Sequence, residues 1–151
     1  MCGFIEEGDM LKARVEDLMS ENIVKIKQNA SIRDAAHILL RFQINGLLVV
    51  NENQEEIVGI ITTTDLLRLI DRALSQKIKR KAALERIANM SIASVASKDI
   101  IKIQKGTRIH RVVSIMRNKN VHTIPIYDGK KLIGVIGKHD IINAAFYSQK
   151  I

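Results

Sequence analysis

The sequence predicts an α/β (α+β) fold built from two copies of one β-α-β-β-α unit, packed together as a pseudo-twofold pair. Three observations predict it. First, SENIVKIKQNASIRDAAHILLRFQINGLLVV (20–50) aligns without a gap on SKDIIKIQKGTRIHRVVSIMRNKNVHTIPIY (97–127). Ser20, Ile23, Lys25, Ile26, Ile32 and Ile38 thereby meet Ser97, Ile100, Lys102, Ile103, Ile109 and Ile115, the signature of an internal duplication. Second, after a turn of slightly different length, IVGIITTTDLL (57–67) meets LIGVIGKHDII (132–142), with Gly59, Ile61 and Asp65 on Gly134, Ile136 and Asp140. Third, in each copy β-branched stretches alternate with apolar residues at helical spacing. A copy of roughly 55 residues buries little apolar surface alone, so the two should pack against each other.

Each copy opens with a short strand, Ile23–Ile26 or Ile100–Ile103, followed by a polar turn. A helix follows, with Ile32, Ala35, Ala36, Leu39 and Leu40 at helical spacing in the first copy and Ile109, Val112, Val113 and Met116 in the second. Ser31 and Asp34 form an acidic variant of a capping box, and Thr107 is the expected cap of the second copy. Two buried strands come next, Leu47–Val50 with Ile57–Ile61 and Ile124–Tyr127 with Leu132–Ile136. The turns between them, NENQEE and DGKK, carry hairpin residues. A closing helix starts at Asp65 or Asp140, and a basic helical stretch towards Asn89, broken near Ser75, connects the copies. The domain reading is therefore 1–14 as an N-terminal extension, 15–75 as the first copy, 76–91 as a basic helical linker and 92–151 as the second copy.

Composition narrows the function. No apolar run among the 151 residues approaches the ~20 a membrane helix needs, and the acidic N-terminus is unlike a signal peptide. The single cysteine, Cys2, excludes an internal disulfide framework and fits a reducing cytoplasm. One Cys and four His give no zinc spacing, so no metal is expected. The net charge is +8, and half of it comes from the segment between Asp65 and Arg86, which holds Arg68, Arg72, Lys77, Lys79, Arg80 and Lys81. Aromatics are 3 % and Trp is absent, which leaves few stacking platforms for single-stranded nucleic acid. A solvated helix face is the reading of that segment. No nucleophile–base pair, Walker-type loop or metal cluster appears, so no enzyme is expected.

Closing both copies, GIITTTD and GVIGKHD give the chain a resemblance to the tandem cystathionine β-synthase (CBS) domain family, or Bateman module. The resemblance runs from about Val15 to Ala145. VHTIPIYDGKKLIGVIGKHDI carries the family's strand with a central proline leading into Gly-apolar-apolar-x-x-x-Asp, and INGLLVVNENQEEIVGIITTTDL carries it with Leu48 where many members have proline. Such modules commonly bind adenosine-containing ligands in clefts between the copies and thereby regulate a partner or attached domain. The resemblance implies AMP, ADP, ATP or S-adenosylmethionine as regulatory ligand, with no other cofactor.

By the same resemblance Asp65 and Asp140 accept the ribose hydroxyls, a role that acidic side chains can fill physically. Thr62 and Thr64 match positions that often donate to phosphate, and a helix start offers backbone N–H groups to it as well. Gly59 and Gly134 would allow close backbone approach. Adenine would lie against Val24 and Ile44, Asn45, Gly46, Leu47 and Leu48 in one copy, and against Ile101 and Val121, His122, Thr123, Ile124 and Pro125 in the other. Read without the family, Thr64 and Asp65 can equally be a helix cap and a dipole-favoured carboxylate. Copy two departs from the pattern: Gly137 stands at the position of Thr62, and Lys138, His139 and His122 are the groups left to hold phosphate there.

The function expected is a cytoplasmic stand-alone sensor module that signals to a regulated protein and forms a homodimer through Leu66, Leu69, Ile70, Ile141, Ile142 and Ala145. Its rivals are a nucleic-acid-binding protein that uses the basic linker helix and a purely structural dimerisation module.

Overall fold

The computed structural model describes Met10 and residues 12–54 and 56–147; Cys2, most of the N-terminal extension, Glu55 and the last four residues lie outside the described residues. The elements in chain order are α1 (Val15–Leu18), β1 (Lys25–Lys27), α2 (Ile32–Phe42), β2 (Gly46–Val50), β3 (Ile57–Thr62), α3 (Thr63–Leu74) and α4 (Arg80–Ala88). A 3-10 turn at Ile92–Ser94 leads to β4 (Ile103–Gln104), α5 (Ile109–Lys119), β5 (Thr123–Asp128), β6 (Lys131–Gly137) and α6 (Lys138–Phe146). Two three-stranded sheets result, ordered β1-β2-β3 and β4-β5-β6. In each, the first pair is parallel and the second antiparallel. A parallel pair requires a crossover, which α2 and α5 supply, whereas the antiparallel pair closes through a short turn. The β-α-β-β-α order holds in both copies.

The chain folds into two compact units, and one of them is discontinuous. One unit is Val24–Ile100; the other joins the described residues up to Ile23 to those from Ile101 onward. The segment that precedes each copy thus completes the other copy's sheet. Ser20 and Val135 exchange both backbone bonds (2.8 and 2.9 Å), and Ser97 and Ile60 exchange both at 2.9 Å. The same equivalence runs upstream: Val15 N–H donates to Thr107 C=O (2.8 Å) as Ile92 N–H donates to Ala30 C=O (2.9 Å). Ile109 N–H meets Ala13 C=O (3.1 Å) as Ile32 N–H meets Met90 C=O (2.9 Å). In the discontinuous unit, Arg14 Nη1 on Gly106 C=O (2.9 Å) and Gly106 N–H on Glu16 Oε1 (3.0 Å) fasten the segment further.

Each unit has its own core. Leu47, Val49, Ile61 and Leu69 with Ile26, Ile32, Ala35, Leu39 and Ile92 fill one. Ile124, Ile126, Ile136 and Val15 with Ile103, Ile109, Val112 and Met116 fill the other. A fully buried aliphatic side chain contributes about 1.5–3 kcal/mol, so the borrowed Ile92 and Val15, both 0 % exposed, are full core members. In α2 the buried side is Ile32, Ala35 and Leu39, whereas Leu40, expected to face the core, is 78 % exposed. Leu69, expected at a dimer face, lies in the core instead, and the apolar side chains that α3 exposes are Leu67, Ile70 and Leu74.

The caps explain where the helices begin. Ser31 Oγ accepts from Asp34 N–H and Asp34 Oδ2 from Ser31 N–H, both at 3.1 Å, the expected reciprocal pair. In copy two Arg108 occupies the cap position without a side-chain bond, and the Thr107 hydroxyl, expected to cap, donates to Gln104 C=O at 2.7 Å. The α3–α4 break falls at Ser75, and Lys77, Lys79, Arg80 and Lys81 are all exposed, as the reading of a solvated face requires.

Candidate ligand site

Both closing motifs form a strand-to-helix junction. β3 pairs Thr62 with Gly46 and β6 pairs Gly137 with Thr123. The first helical amides then reach back to the neighbouring strand end: Thr63 N–H to Asn45 C=O (2.9 Å) and Lys138 N–H to His122 C=O (3.2 Å). The helices begin two residues before the aspartates. Thr62, not Thr64, is therefore the cap of α3, with its hydroxyl accepting from Asp65 N–H at 3.2 Å. Thr64, two residues past the cap, is exposed.

The aspartates are held alike. Asp65 Oδ2 accepts from Thr62 N–H at 2.8 Å, and Asp140 Oδ2 accepts from Gly137 N–H at 2.7 Å. Beyond this shared bond the junctions diverge. The Thr62 hydroxyl also donates to Asp65 Oδ2 (3.0 Å), and the exposed Arg68 lies 3.3 Å from Asp65 Oδ1. Asp140 has no second donor among the described residues. Burial pushes the Asp140 carboxyl above the ordinary aspartate range, and the Gly137 N–H and the nearby His139 only partly oppose this. An anion removed from water with one hydrogen bond is poised to accept more.

Backbone pairing brings Asn45, Gly46, Thr62 and Asp65 together in one unit, and His122, Thr123, Lys138 and Asp140 in the other. His139 is exposed. Val24 and Ile44 are half-buried against one core, as Ile101 and Val121 are against the other. Leu47 and Ile124 are fully buried core side chains, so at those positions the chain offers a ligand its backbone alone. Leu48 and Pro125, also fully buried, alternate to the opposite face of their strands.

The motif glycines have a reason that sequence did not suggest. A Cβ on Gly59 would stand 2.9 Å from Ser97 O and 3.2 Å from Ala96 Cβ, and one on Gly134 2.5 Å from Met19 Sδ and 3.0 Å from Ser20 O. The close approach that these glycines permit is that of the exchanged segment. Lys138 and His122 line one open groove with Arg117 of α5, a residue the motifs did not single out. Among the described residues no cluster of His, Cys, Asp and Glu could hold a metal ion, and no helix is long and apolar enough to cross a membrane.

The family model of the CBS domain matches this chain twice, over residues 15–72 and 92–147. The chain belongs to the CBS domain family. Among curated CBS relatives, arabinose 5-phosphate isomerase KdsD of Escherichia coli K12 is 28 % identical over 139 residues, covering 91 % of this chain and 39 % of the isomerase. A homoserine O-acetyltransferase of Methanosalsum zhilinae is 30 % identical over 139 residues, 91 % of this chain and 25 % of that protein. The chain therefore spans well under half the length of these two relatives. Among solved structures, the CBS-domain protein ATU1752 of Agrobacterium tumefaciens superposes with a TM-score of 0.74 at 20 % identity, over 87 % of this chain and 92 % of that one. The CBS pair of protein MJ0100, solved with 5′-methylthioadenosine and S-adenosyl-L-methionine, superposes at 0.66 with 25 % identity over 87 % and 98 %. CBSX2 in complex with AMP superposes at 0.68 with 21 % identity over 87 % and 95 %. The two three-stranded sheets with their helices are the CBS-pair fold.

Proposed function

We propose that this chain is a regulatory CBS pair that binds an adenosine-containing ligand at its strand-to-helix junctions and signals its occupancy to a partner protein. The observation that carries the reading is the pair of pre-oriented aspartates. Each is fixed through Oδ2 by the amide of the helix cap; Oδ1 of Asp140 is left to accept from a ribose diol, and Oδ1 of Asp65 is shared with the exposed Arg68, which a ribose diol would displace. The ligands in the MJ0100 and CBSX2 structures, each built on adenosine, support the same class here. In copy one, the phosphate groups of a nucleotide would meet the Thr62 hydroxyl and the first amides of α3, where partial positive charge gathers. In copy two Lys138, His139 and His122 take that part.

The stripe of Leu67, Ile70 and Leu74 on α3, spaced i, i+3 and i+7 and exposed along its length, is the face through which we expect a homodimer. Calorimetric titration with AMP, ADP, ATP and S-adenosylmethionine tests the ligand class. Heat of binding that disappears in an Asp65→Ala, Asp140→Ala double variant supports the reading; unchanged affinity in that variant sinks it.

A further inference from the structure

The sheet β1-β2-β3 has one closed edge and one open one. β3 carries Ser97 on its outer side, whereas nothing among the described residues pairs with the outer side of β1. Gln28 N–H donates to Val50 C=O at 2.9 Å, so by the alternation of a parallel ladder Ile26 and Gln28 turn towards β2 while Lys25 and Lys27 turn away from it. Lys27 C=O is taken by Ala30 N–H (3.0 Å). Lys25 N–H, Lys25 C=O and Lys27 N–H remain, the outward backbone groups of an unpaired edge. A groove of about 380 Å³ runs beside them, lined by Lys25, Ile26, Lys27 and Val50 of the sheet and by Asp34 and Ile38 of α2.

The duplication supplies an internal control. Lys25, Lys27 and Val50 correspond to Lys102, Gln104 and Tyr127. In copy two these side chains are turned back onto their own hairpin. Gln104 binds both backbone groups of Gly129, each at 3.0 Å, and Lys102 Nζ lies 5.2 Å from the centre of the Tyr127 ring. In copy one Lys25 and Lys27 are exposed and form no ion pair or side-chain hydrogen bond among the described residues. Among the described lining residues Asp34 alone is a carboxylate, and Ser31 holds it.

We propose that the open edge of β1 docks an extended segment of a partner protein in which acidic and apolar residues alternate. Successive side chains of a strand point to opposite faces. Residues of the added strand on the face of Lys25 and Lys27 are therefore acidic, and the residue between them, on the face of Ile26, is apolar and enters the groove beside Ile38. Main-chain hydrogen bonds to the free edge supply affinity, and the alternating side chains supply selection. Lysines on an edge discourage apolar and like-charged strands, so the strand they admit is an acidic one. Copy two, its equivalent side chains already engaged, does not dock it. The surface shares no residue with the strand-to-helix junctions and stands apart from the adenosine reading.

Titration of the full chain with a capped pentapeptide of alternating glutamate and valine, followed by amide chemical shifts, tests it. Shifts should gather at residues 25–28 and 34–38 and spare 102–105. Replacing the peptide's glutamates by lysine, or grouping them at one end, should weaken binding at least about tenfold. N-methylation of one alternate set of peptide amides should also cost about tenfold, and of the other set nothing, which separates strand addition from plain attraction between charges. Lys25→Glu with Lys27→Glu should weaken binding about tenfold while the unfolding midpoint stays put, because both side chains are exposed. Equal affinity for the lysine or grouped peptide, no loss from either N-methylated set, equal shifts at 102–105, or no binding at all would each overturn the proposal.

Discussion

The junction at Thr62–Asp65 and the junction at Gly137–Asp140 share a backbone path, an equivalent strand partner and an aspartate pinned by the capping amide, and they differ at the cap, Thr62 against Gly137, and at the two residues that follow it. In the first, the carboxylate also receives the Thr62 hydroxyl and lies near Arg68; in the second, it keeps a single donor and its carboxyl is pushed up by burial. Capping alone does not need that hydroxyl, because glycine is nearly as good a cap as threonine. What the difference teaches is that the local fold is satisfied in both copies, so the residues that vary at the junction are free to follow a ligand.

The largest expected effect separates the two copies outright. Asp65→Ala should cost copy one at least about a hundredfold in AMP affinity, since two hydrogen bonds to a charged group are lost, and leave copy two unaffected. Asp140→Ala should do the converse. Calorimetry on both variants reads this directly, and equal loss of both sites in either variant would break the comparison.

Next comes stability. Gly59→Ala and Gly134→Ala should each destabilise by about 1–3 kcal/mol in urea denaturation. The Gly59 change should be the worse, because its Cβ meets the Ser97 carbonyl oxygen at 2.9 Å, whereas the nearest atom to a Gly134 Cβ belongs to the flexible Met19 side chain. A reversed order would mean that the exchanged segments yield differently from what these distances imply.

Smaller still is the hydroxyl itself. Thr62→Ala should cost about 1 kcal/mol as a lost cap. Gly137→Thr, with nothing closer than 3.4 Å to its Cβ, should change stability by only a few tenths of a kcal/mol. It should nonetheless tighten AMP at copy two about tenfold, if the new hydroxyl turns its one proton from the Asp140 carboxylate to the phosphate. A stability gain with no gain in affinity would confine threonine to capping.

The smallest effect is on the pH dependence of stability. A carboxyl raised above its unfolded value binds its proton more readily in the folded state. Its contribution is therefore full below the ordinary aspartate value of 3.8 and is lost as pH rises through the raised native value. Asp34 acts in the opposite sense: the Ser31 amide and hydroxyl hold it low, so its contribution is present above the unfolded value and lost as pH falls through the native one. Thermal melts across that acid range should lose the first slope in Asp140→Asn and the second in Asp34→Asn.

Much of this fold was legible because it is written in local periodicity. The strands fell within a few residues of their expected ends, and Ser31 with Asp34 announced a helix start. The exchange of segments was not legible. Val15 and Ile92 are apolar residues in short helical turns that would suit either core, and nothing local says which sheet Ser20 or Ser97 will join. The cap was misplaced for a related reason: three consecutive threonines offer three capping hydroxyls, and only the register of β3 against Gly46 selects Thr62. At the site, the motif residues could be named from sequence. Arg117 could not, because it reaches the groove from a different helix and becomes conspicuous only beside its neutral twin, Leu40.

The exchanged segments also set an order of events during synthesis. Everything that the unit Val24–Ile100 requires has been made once Ile100 is out, so it can close while the rest of the chain is still being translated. The other unit is split around it in sequence: Ser20 is made before that unit and its partner Val135 after it. So wide a separation between pairing partners slows folding, and Val15, Met19 and Ser20 must wait without a sheet until β6 exists. The segment that carries Ser20 is thus made before the whole Val24–Ile100 unit and finds its place only after it.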